Sequence, residues 1–163
     1  MKALLIVWHS RTGGTRQMAD AAARAAEAEP QMAVRLLAAA EAQPDDLLAA
    51  DGYLFACPEN LASLSGAMKE FFDRCYYPCL ERLNGRPYAA MICAGSDGTN
   101  AARQLARICT GWRLKAVAEP LIVNVSAQTP EAIQAEKHLS DAQLSPCAEL
   151  GATMAAGLAM GVF

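Results

Sequence analysis

The stretch from Ala3 to Arg16 reads ALLIVWHSRTGGTR. An unbroken apolar run of this length suits a strand covered on both faces, as in a parallel sheet. Two adjacent glycines and three hydroxyl side chains, Ser10, Thr12 and Thr15, follow at once. Beyond them Met18, Ala22, Ala25 and Ala26 recur at helical spacing, with Arg16, Asp20, Arg24 and Glu27 on the opposite side. A buried strand, a glycine-rich turn and an amphipathic helix make the opening of a βαβ unit.

The alternation continues along the chain. Tyr53–Cys57, Tyr88–Ala94 and Leu121–Val125 are further apolar runs, and Val34–Leu37 is a weaker one. Between them lie two more helical stripes. One carries Ala67, Met68, Phe71 and Phe72, with Lys69, Glu70 and Asp73 outside; Lys69 and Asp73 fall at the spacing of a surface ion pair. The other carries Ala101, Ala102, Leu105, Ala106 and Cys109, with Arg103, Gln104 and Arg107 outside. The pattern predicts an α/β protein: one domain over residues 1–163, with a five-stranded parallel sheet and helices on both faces. Residues 126–145 read as loosely organised. Within them Thr129-Pro130-Glu131 has the composition of a helix start, and Ser145-Pro146 marks the start of the last helix. That helix is apolar on the Cys147, Leu150, Met154, Leu158 side and also on the Ala152, Ala156, Ala159 side. Such a helix is deeply buried or lies at a subunit contact, so a homo-oligomer is expected.

Composition removes several classes of function. The formal net charge is −3 and the charges are interspersed, which gives no electrostatic case for nucleic acid or an anionic membrane. The first residues, MKALLIVWHS, have one Lys and no small-residue cleavage site, so they read as a core strand and the expected location is the cytoplasm. The six cysteines are then expected to be reduced. Cys57 and Cys93 fall in apolar runs, and Cys75 and Cys79 have no nearby His or second pair with which to build a metal site, so no metal is assigned.

In an α/β sheet the loop between a strand and its helix lies at the carboxyl end of the strand, where ligands bind. Backbone amides and the helix dipole favour an anion there. Gly13 and Gly14 permit close backbone approach, and Ser10, Thr12 and Thr15 offer hydroxyl donors. Gly14-Thr15-Arg16 lacks the Lys of a nucleotide-triphosphate loop, and adjacent glycines do not make G-x-G-x-x-G. A hydroxyl-rich loop of this kind suits one terminal phosphate, with a plain strand–helix turn capped by Thr15 as the alternative.

Ser10-x-Thr12-Gly13-x-Thr15 resembles the FMN phosphate loop of the flavodoxin-like family. Pro58 to Arg74, PENLASLSGAMKEFFDR, resembles the family's second segment, in which a strand ends in Pro and a loop runs beside the flavin ring. Ala94-Gly-Ser-Asp-Gly-Thr99 resembles its third flavin-contacting loop. The resemblance implies a three-layer sandwich with strand order 2-1-3-4-5. It implies FMN contacts from Ser10, Arg11, Thr12, Gly13, Gly14 and Thr15 at the phosphate. Pro58, Glu59, Asn60, Leu61 and Ala62 would lie along the ring, with backbone amides from Gly95, Ser96, Asp97 and Gly98 at its pyrimidine edge. An outward-facing Asp97 is expected, since Asp97-Gly98 is also a turn dipeptide.

The chain departs from electron-carrying members in three ways. Neither ring loop has an aromatic residue, leaving Tyr76, Tyr77 and Trp112 as the substitutes to consider. No Gly occurs between Pro58 and Gly66, so Asn60 is the expected carrier of any positive φ. The net charge is small for a docking carrier. An uncovered ring face resembles the NAD(P)H-dependent FMN and quinone reductase branch, in which a reduced nicotinamide (NADPH or NADH) stacks on the flavin and no protein residue acts catalytically. The expected activity is two-electron transfer to a quinone or another small-molecule acceptor. A one-electron carrier serving a redox protein, and a non-redox binding protein on the same scaffold, are the alternatives. His9 has two readings, as a phosphate contact or as a packed histidine.

Overall fold

A computed structural model describes residues 1–163. In chain order the elements are β1 (Lys2–Trp8), α1 (Gly14–Ala26), β2 (Met32–Ala38), α2 (Pro44–Ala49), β3 (Gly52–Asn60), β4 (Ser63–Leu64), α3 (Gly66–Cys79), β5 (Pro87–Ala94), α4 (Thr99–Gly111), β6 (Lys115–Ala116), β7 (Leu121–Asn124), α5 (Pro130–Gln134) and α6 (Asp141–Met160).

The sheet is built outward from β1. Its residues Leu4–Trp8 pair in parallel with Val34–Ala38 of β2 on one edge and with Gly52–Ala56 of β3 on the other. β5 lies beside β3, again in parallel. The place beyond β5 is shared: β6 pairs with Pro87 and Tyr88, and β7 pairs with Met91–Ala94. Counting β6 and β7 as one interrupted strand returns the expected order, but the five strands become seven. The interruption, residues 117–120, ends in Pro120, which has no amide for a ladder. The seventh strand, β4, folds back antiparallel on β3.

Side chains alternate across the sheet. Leu5, Val7, Tyr53, Phe55, Cys57, Tyr88, Ala90 and Ile92 face α3 and α4. Leu4, Ile6, Leu54, Ala56, Ala89, Met91 and Cys93 face α1 and α6. On the first side Phe55 and Phe72 pack edge to face at 5.1 Å, and Trp112 meets the ring of Phe72 at 5.2 Å. Trp112 is therefore a core residue. Tyr76 and Tyr77 lie against each other on the exposed end of α3. None of these three lines the cleft described below. Cys75 and Cys79 are buried free thiols in the same core. Lys69 and Asp73 form the expected surface pair at 2.6 Å.

The C-terminal third differs most from expectation. Thr129 does cap a short helix, its hydroxyl accepting from the Ala132 amide. The last helix, however, begins at Asp141 rather than near Ser145. Ser140 and Gln143 form a capping box there, and Pro146 sits inside the helix. An internal proline removes one backbone donor. α6 buries Cys147, Gly151, Met154, Ala155 and Leu158, and presents Ala152 and Thr153 to solvent. The outer face is thus made largely of small side chains, whose exposure does not require a second copy to cover it. No helix is long and apolar enough to cross a membrane.

α1 and α6 approach until their backbones nearly touch. A Cβ on Gly151 would lie 2.1 Å from the carbonyl oxygen of Ala22. Backbone cannot yield as a side-chain tip does, so overpacking here is severe. Gly151→Ala is expected to lower unfolding stability by about 2–3 kcal/mol or more. Denaturant titration checks this, with Ala152→Ser on the exposed face as a near-neutral control.

Candidate functional site

Parallel pairing sends the loops after β1, β3 and β5 to one end of the sheet. They enclose a cleft of about 690 Å³, within the range of small-molecule and cofactor sites. Its walls include Ser10, Arg11, Thr12, Gly14 and Thr15 from the first loop and helix start. Pro58, Glu59, Asn60, Leu61 and Ala62 come from the second, and Ala94, Gly95 and Ser96 from the third. Three of the expected site residues, Gly13, Asp97 and Gly98, do not line it.

The geometry explains each omission. Gly13 is the N-cap of α1, with φ 95°, and its amide donates to Ser10 Oγ at 3.1 Å. It shapes the turn, and its own donor is spent inside the loop. Thr15 is not the cap but lies in the first turn, behind Gly14. Gly98 also has a left-handed φ, 89°, and a Cβ there would meet Ile122 Cγ2 at 2.8 Å. Its amide donates to Glu59 Oε2 at 2.6 Å, so this donor, expected at a ring edge, joins two loops instead. Asp97 is exposed, as expected, and its carboxylate accepts from Thr99 Oγ1 and more weakly from the Thr99 amide at 3.4 Å.

At the first loop the polar supply is concentrated. α1 has no acidic residue in its first turn. The Gln17 amide is bonded to Gly13 O, which leaves the helix's first amides directed out of its end. Gly14 is hemmed in: a Cβ would lie 2.7 Å from Cys93 Sγ and 3.6 Å from the stem of Lys137. Thr15 is only 1 % exposed, yet its Oγ1 has no hydrogen-bond partner apart from the weak acceptor sulfur of Cys93. Burial raises the Cys93 thiol pKa, so that sulfur stays protonated near neutral pH; Lys137 and Thr15 oppose the shift. An orphaned hydroxyl at the mouth of a helix N-terminus is a donor awaiting an acceptor.

His9 takes the packed reading. Its Nδ1 is 2.8 Å from Ser65 Oγ. Burial, with Arg11 nearby, lowers its pKa, which favours the neutral ring. Arg16 is drawn away from the cleft, stacked 4.5 Å over Trp8 and paired with Asp20. Arg11 is exposed at the cleft and forms no ion pair, so it supplies uncancelled positive charge.

The second loop is a tight hairpin. Glu59 pairs with Leu64 and Asn60 with Ser63. The two residues between have positive φ, 51° at Leu61 and 62° at Ala62, while Asn60 does not. A two-residue hairpin loop demands this handedness of its central residues, so the constraint falls one step beyond Asn60. α4 holds the turn: Asn100 Nδ2 donates to Ala62 O at 2.6 Å, and Gln104 Oε1 accepts from Ser63 Oγ and the Leu64 amide. The third loop is tied to the chain after β7. The Ala127 amide donates to Gly95 O, and Asn124 Nδ2 donates to Ser96 O.

Seven lining residues lie outside the expected set: Cys93, Ala94, Val125, Ala127, Ile133, Gln134 and Lys137. Cys93 and Ala94 end an apolar strand and read as core. The others lie in or beside the segment read as loose, where polar composition hides the bonds that fix it. Gln17 is the fastener. Its side-chain amide donates to Gly13 O and Lys137 O, and its oxygen accepts from the Leu139 amide.

With this geometry in view, known proteins place the chain. Solved structures share its flavodoxin-like fold. A WrbA-like flavodoxin from Agrobacterium tumefaciens superimposes with a TM-score of 0.77 over 99 % of both chains at 20 % identity. An archaeal flavodoxin does so with 0.74 over 96 % of this chain and 98 % of its own, at 18 % identity. Residues 38–129 match the model of the NADPH-dependent FMN reductase family, and the chain belongs to that family. A flavodoxin of Aquifex aeolicus is 33 % identical over 98 residues, which take in 60 % of this chain and 53 % of the relative. An NAD(P)H dehydrogenase (quinone) of Acidithiobacillus ferrooxidans is 34 % identical over 94 residues, covering 45 % of this chain and 47 % of its own. The chain thus spans about half the length of the curated relatives it matches.

The orphaned hydroxyl generates a two-sided test. Thr15→Val removes a buried donor that has no strong partner and keeps the volume. It is expected to leave flavin-free stability unchanged or raise it by about 1 kcal/mol. The same change is expected to weaken binding of a phosphate-bearing ligand about tenfold or more. Thermal unfolding and ligand titration on one preparation read both.

Proposed function

We propose that the chain binds FMN without a covalent bond and transfers two electrons from NADPH or NADH to a quinone or similar small acceptor. The observation that carries this reading is the first loop. It joins a helix start, three hydroxyls, one of them orphaned, and unpaired Arg11, all opening on one cleft. This donor set fits a phosphate. The cleft's remaining walls mix apolar side chains (Pro58, Leu61, Ala62, Ala94, Val125, Ala127) with a few polar ones, Glu59 and Asn60 among them, which fits a flat ring with polar edges extending from that anchor.

Bound flavin supplies hydride chemistry; the chain's own residues bind and orient it. Thr12, Thr15 and the first amides of α1 hold the phosphate, and Ser10 braces the Gly13 turn while keeping its own hydrogen to donate. Pro58 to Ala62 form one wall along the ring. The loop at Gly95 and Ser96 faces it, anchored through its carbonyls so that its amides remain available to negative charge on the pyrimidine edge. Cys93, pinned beneath Gly14, limits how deep the phosphate sits. No aromatic side chain lines the cleft, which leaves a ring face open to a stacked nicotinamide or acceptor. Such stacking brings the reacting atoms together, and no protein acid or base is required.

A one-electron carrier is the second reading, and the Aquifex aeolicus flavodoxin relative is what favours it. Turnover separates the two. The enzyme reading expects sustained oxidation of NADPH or NADH when a quinone is the only acceptor and no second protein is present. A flavin reduced only through a partner reductase would instead favour the carrier.

Binding itself is tested first. FMN added to dialysed protein is expected to show saturable fluorescence quenching, with riboflavin binding far more weakly. Thr12→Ala and Thr15→Ala together are expected to abolish the FMN signal, since each hydrogen bond to a charged group contributes about 1.5–3 kcal/mol. Unchanged affinity in that double variant would move the phosphate elsewhere.

A further inference from the structure

Residues 129–139 form a strap across the phosphate end of the cleft. Their place there is built, not incidental. The Lys137 amide donates to Thr12 O at 2.8 Å, and Gln17 bonds both Lys137 O and the Leu139 amide. The Lys137 stem packs on Gly14. Its ammonium donates to Ile133 O at 3.0 Å, to Ala135 O at 2.6 Å and to Thr12 Oγ1 at 3.2 Å. The chain's ion pairs engage Lys2, Arg16, Arg35, Lys69 and Arg74, so no carboxylate neutralises Lys137.

These contacts fix a direction. An ammonium has three hydrogens, and all three are in use. Thr12 Oγ1 accepts one of them, so the Thr12 hydroxyl must point its own hydrogen elsewhere, and Thr12 lines the cleft. A full positive charge stands directly behind that hydroxyl. Thr15, whose Oγ1 is buried and without a strong partner, lines the same cleft.

We infer that Lys137 is a positioning residue for the flavin phosphate: it turns the Thr12 hydroxyl into an oriented, charge-backed donor and makes the site select FMN over its dephosphorylated form. This rests on the FMN reading above. Sequence spacing hides the arrangement, because Lys137 lies 125 residues from Thr12 and inside a segment without strong periodicity. Unlike the lysine of a nucleotide-triphosphate loop, which reaches the phosphates itself, Lys137 acts through the Thr12 hydroxyl.

The test compares FMN and riboflavin affinities for the wild type, Lys137→Met, Lys137→Arg and Thr12→Val. Lys137→Met is expected to weaken FMN about tenfold and leave riboflavin unchanged. Lys137→Arg is expected to restore most of the loss. In the Thr12→Val background the Lys137→Met effect should shrink, because the hydroxyl it acts through is gone. Thermal unfolding of the flavin-free variants reports any loss of the strap itself. Equal losses for FMN and riboflavin would make Lys137 a merely structural anchor and overturn the inference, as would undiminished FMN binding by Lys137→Met. Wild-type protein that fails to bind FMN would instead bring down the underlying reading, and this inference with it.

Discussion

Everything at the cleft depends on β1 being hydrogen-bonded along both edges. Leu4 to Trp8 have a parallel neighbour on each side, and Leu4 to Val7 are fully buried. An apolar strand so placed has no alternative partner of comparable quality. Parallel neighbours then force every return crossing to the far end of the sheet, and the loops after β1, β3 and β5 gather where the strands finish. The ligand-sized space is a by-product of that pairing. Its chemistry comes from what the loops carry, and the sheet needs none of it.

The loops are not independent. Glu59 reaches from the second to the third, Asn124 and Ala127 hold the third to the end of β7 and the chain beyond it, and Gln17 clasps the first to the strap. Each bond consumes a donor or acceptor that a ligand would otherwise meet. What is left unclaimed defines the site more sharply than what is present. At one end the remainder is hydroxyls, helix amides and uncancelled positive charge. At the other it is carbonyl-anchored backbone and a largely apolar wall that also carries Glu59 and Asn60. The polarity of the cleft therefore runs along its length, and a ligand with an anionic tail and a flat head has one sensible orientation in it.

Much of this was legible in the sequence, for a physical reason. Strand burial writes itself into unbroken apolar runs such as Ala3–Trp8 and Tyr88–Ala94, and the first loop into adjacent glycines and a cluster of hydroxyl residues at a strand–helix turn. Twelve of the fifteen expected site residues do line the cleft. Failures came where a residue's role depends on a distant partner. Gly98 resembles a free ring donor until Glu59 is seen to occupy it. Asn60 is the better left-handed residue by intrinsic preference, yet hairpin register put that conformation on Leu61 and Ala62. The segment around Lys137 has the composition of a loose connection, and only three-dimensional contact shows that it is fastened. The last helix begins before Ser145-Pro146 because the proline, usually a start signal, is accommodated inside it.

The Leu61-Ala62 turn has a consequence for how such a protein diversifies. Neither residue favours a left-handed backbone, which costs roughly 1–2 kcal/mol at each. The turn persists because Asn100 and Gln104, on a helix outside the cleft, grip it. The shape of the cleft's rim is thus partly written in the surface residues of α4. Exchanging those two side chains would reshape the rim without touching a single residue that lines the cleft. The rim of the cleft in this chain therefore has a control that lies outside the cleft, among residues that a comparison of cleft walls alone would treat as neutral.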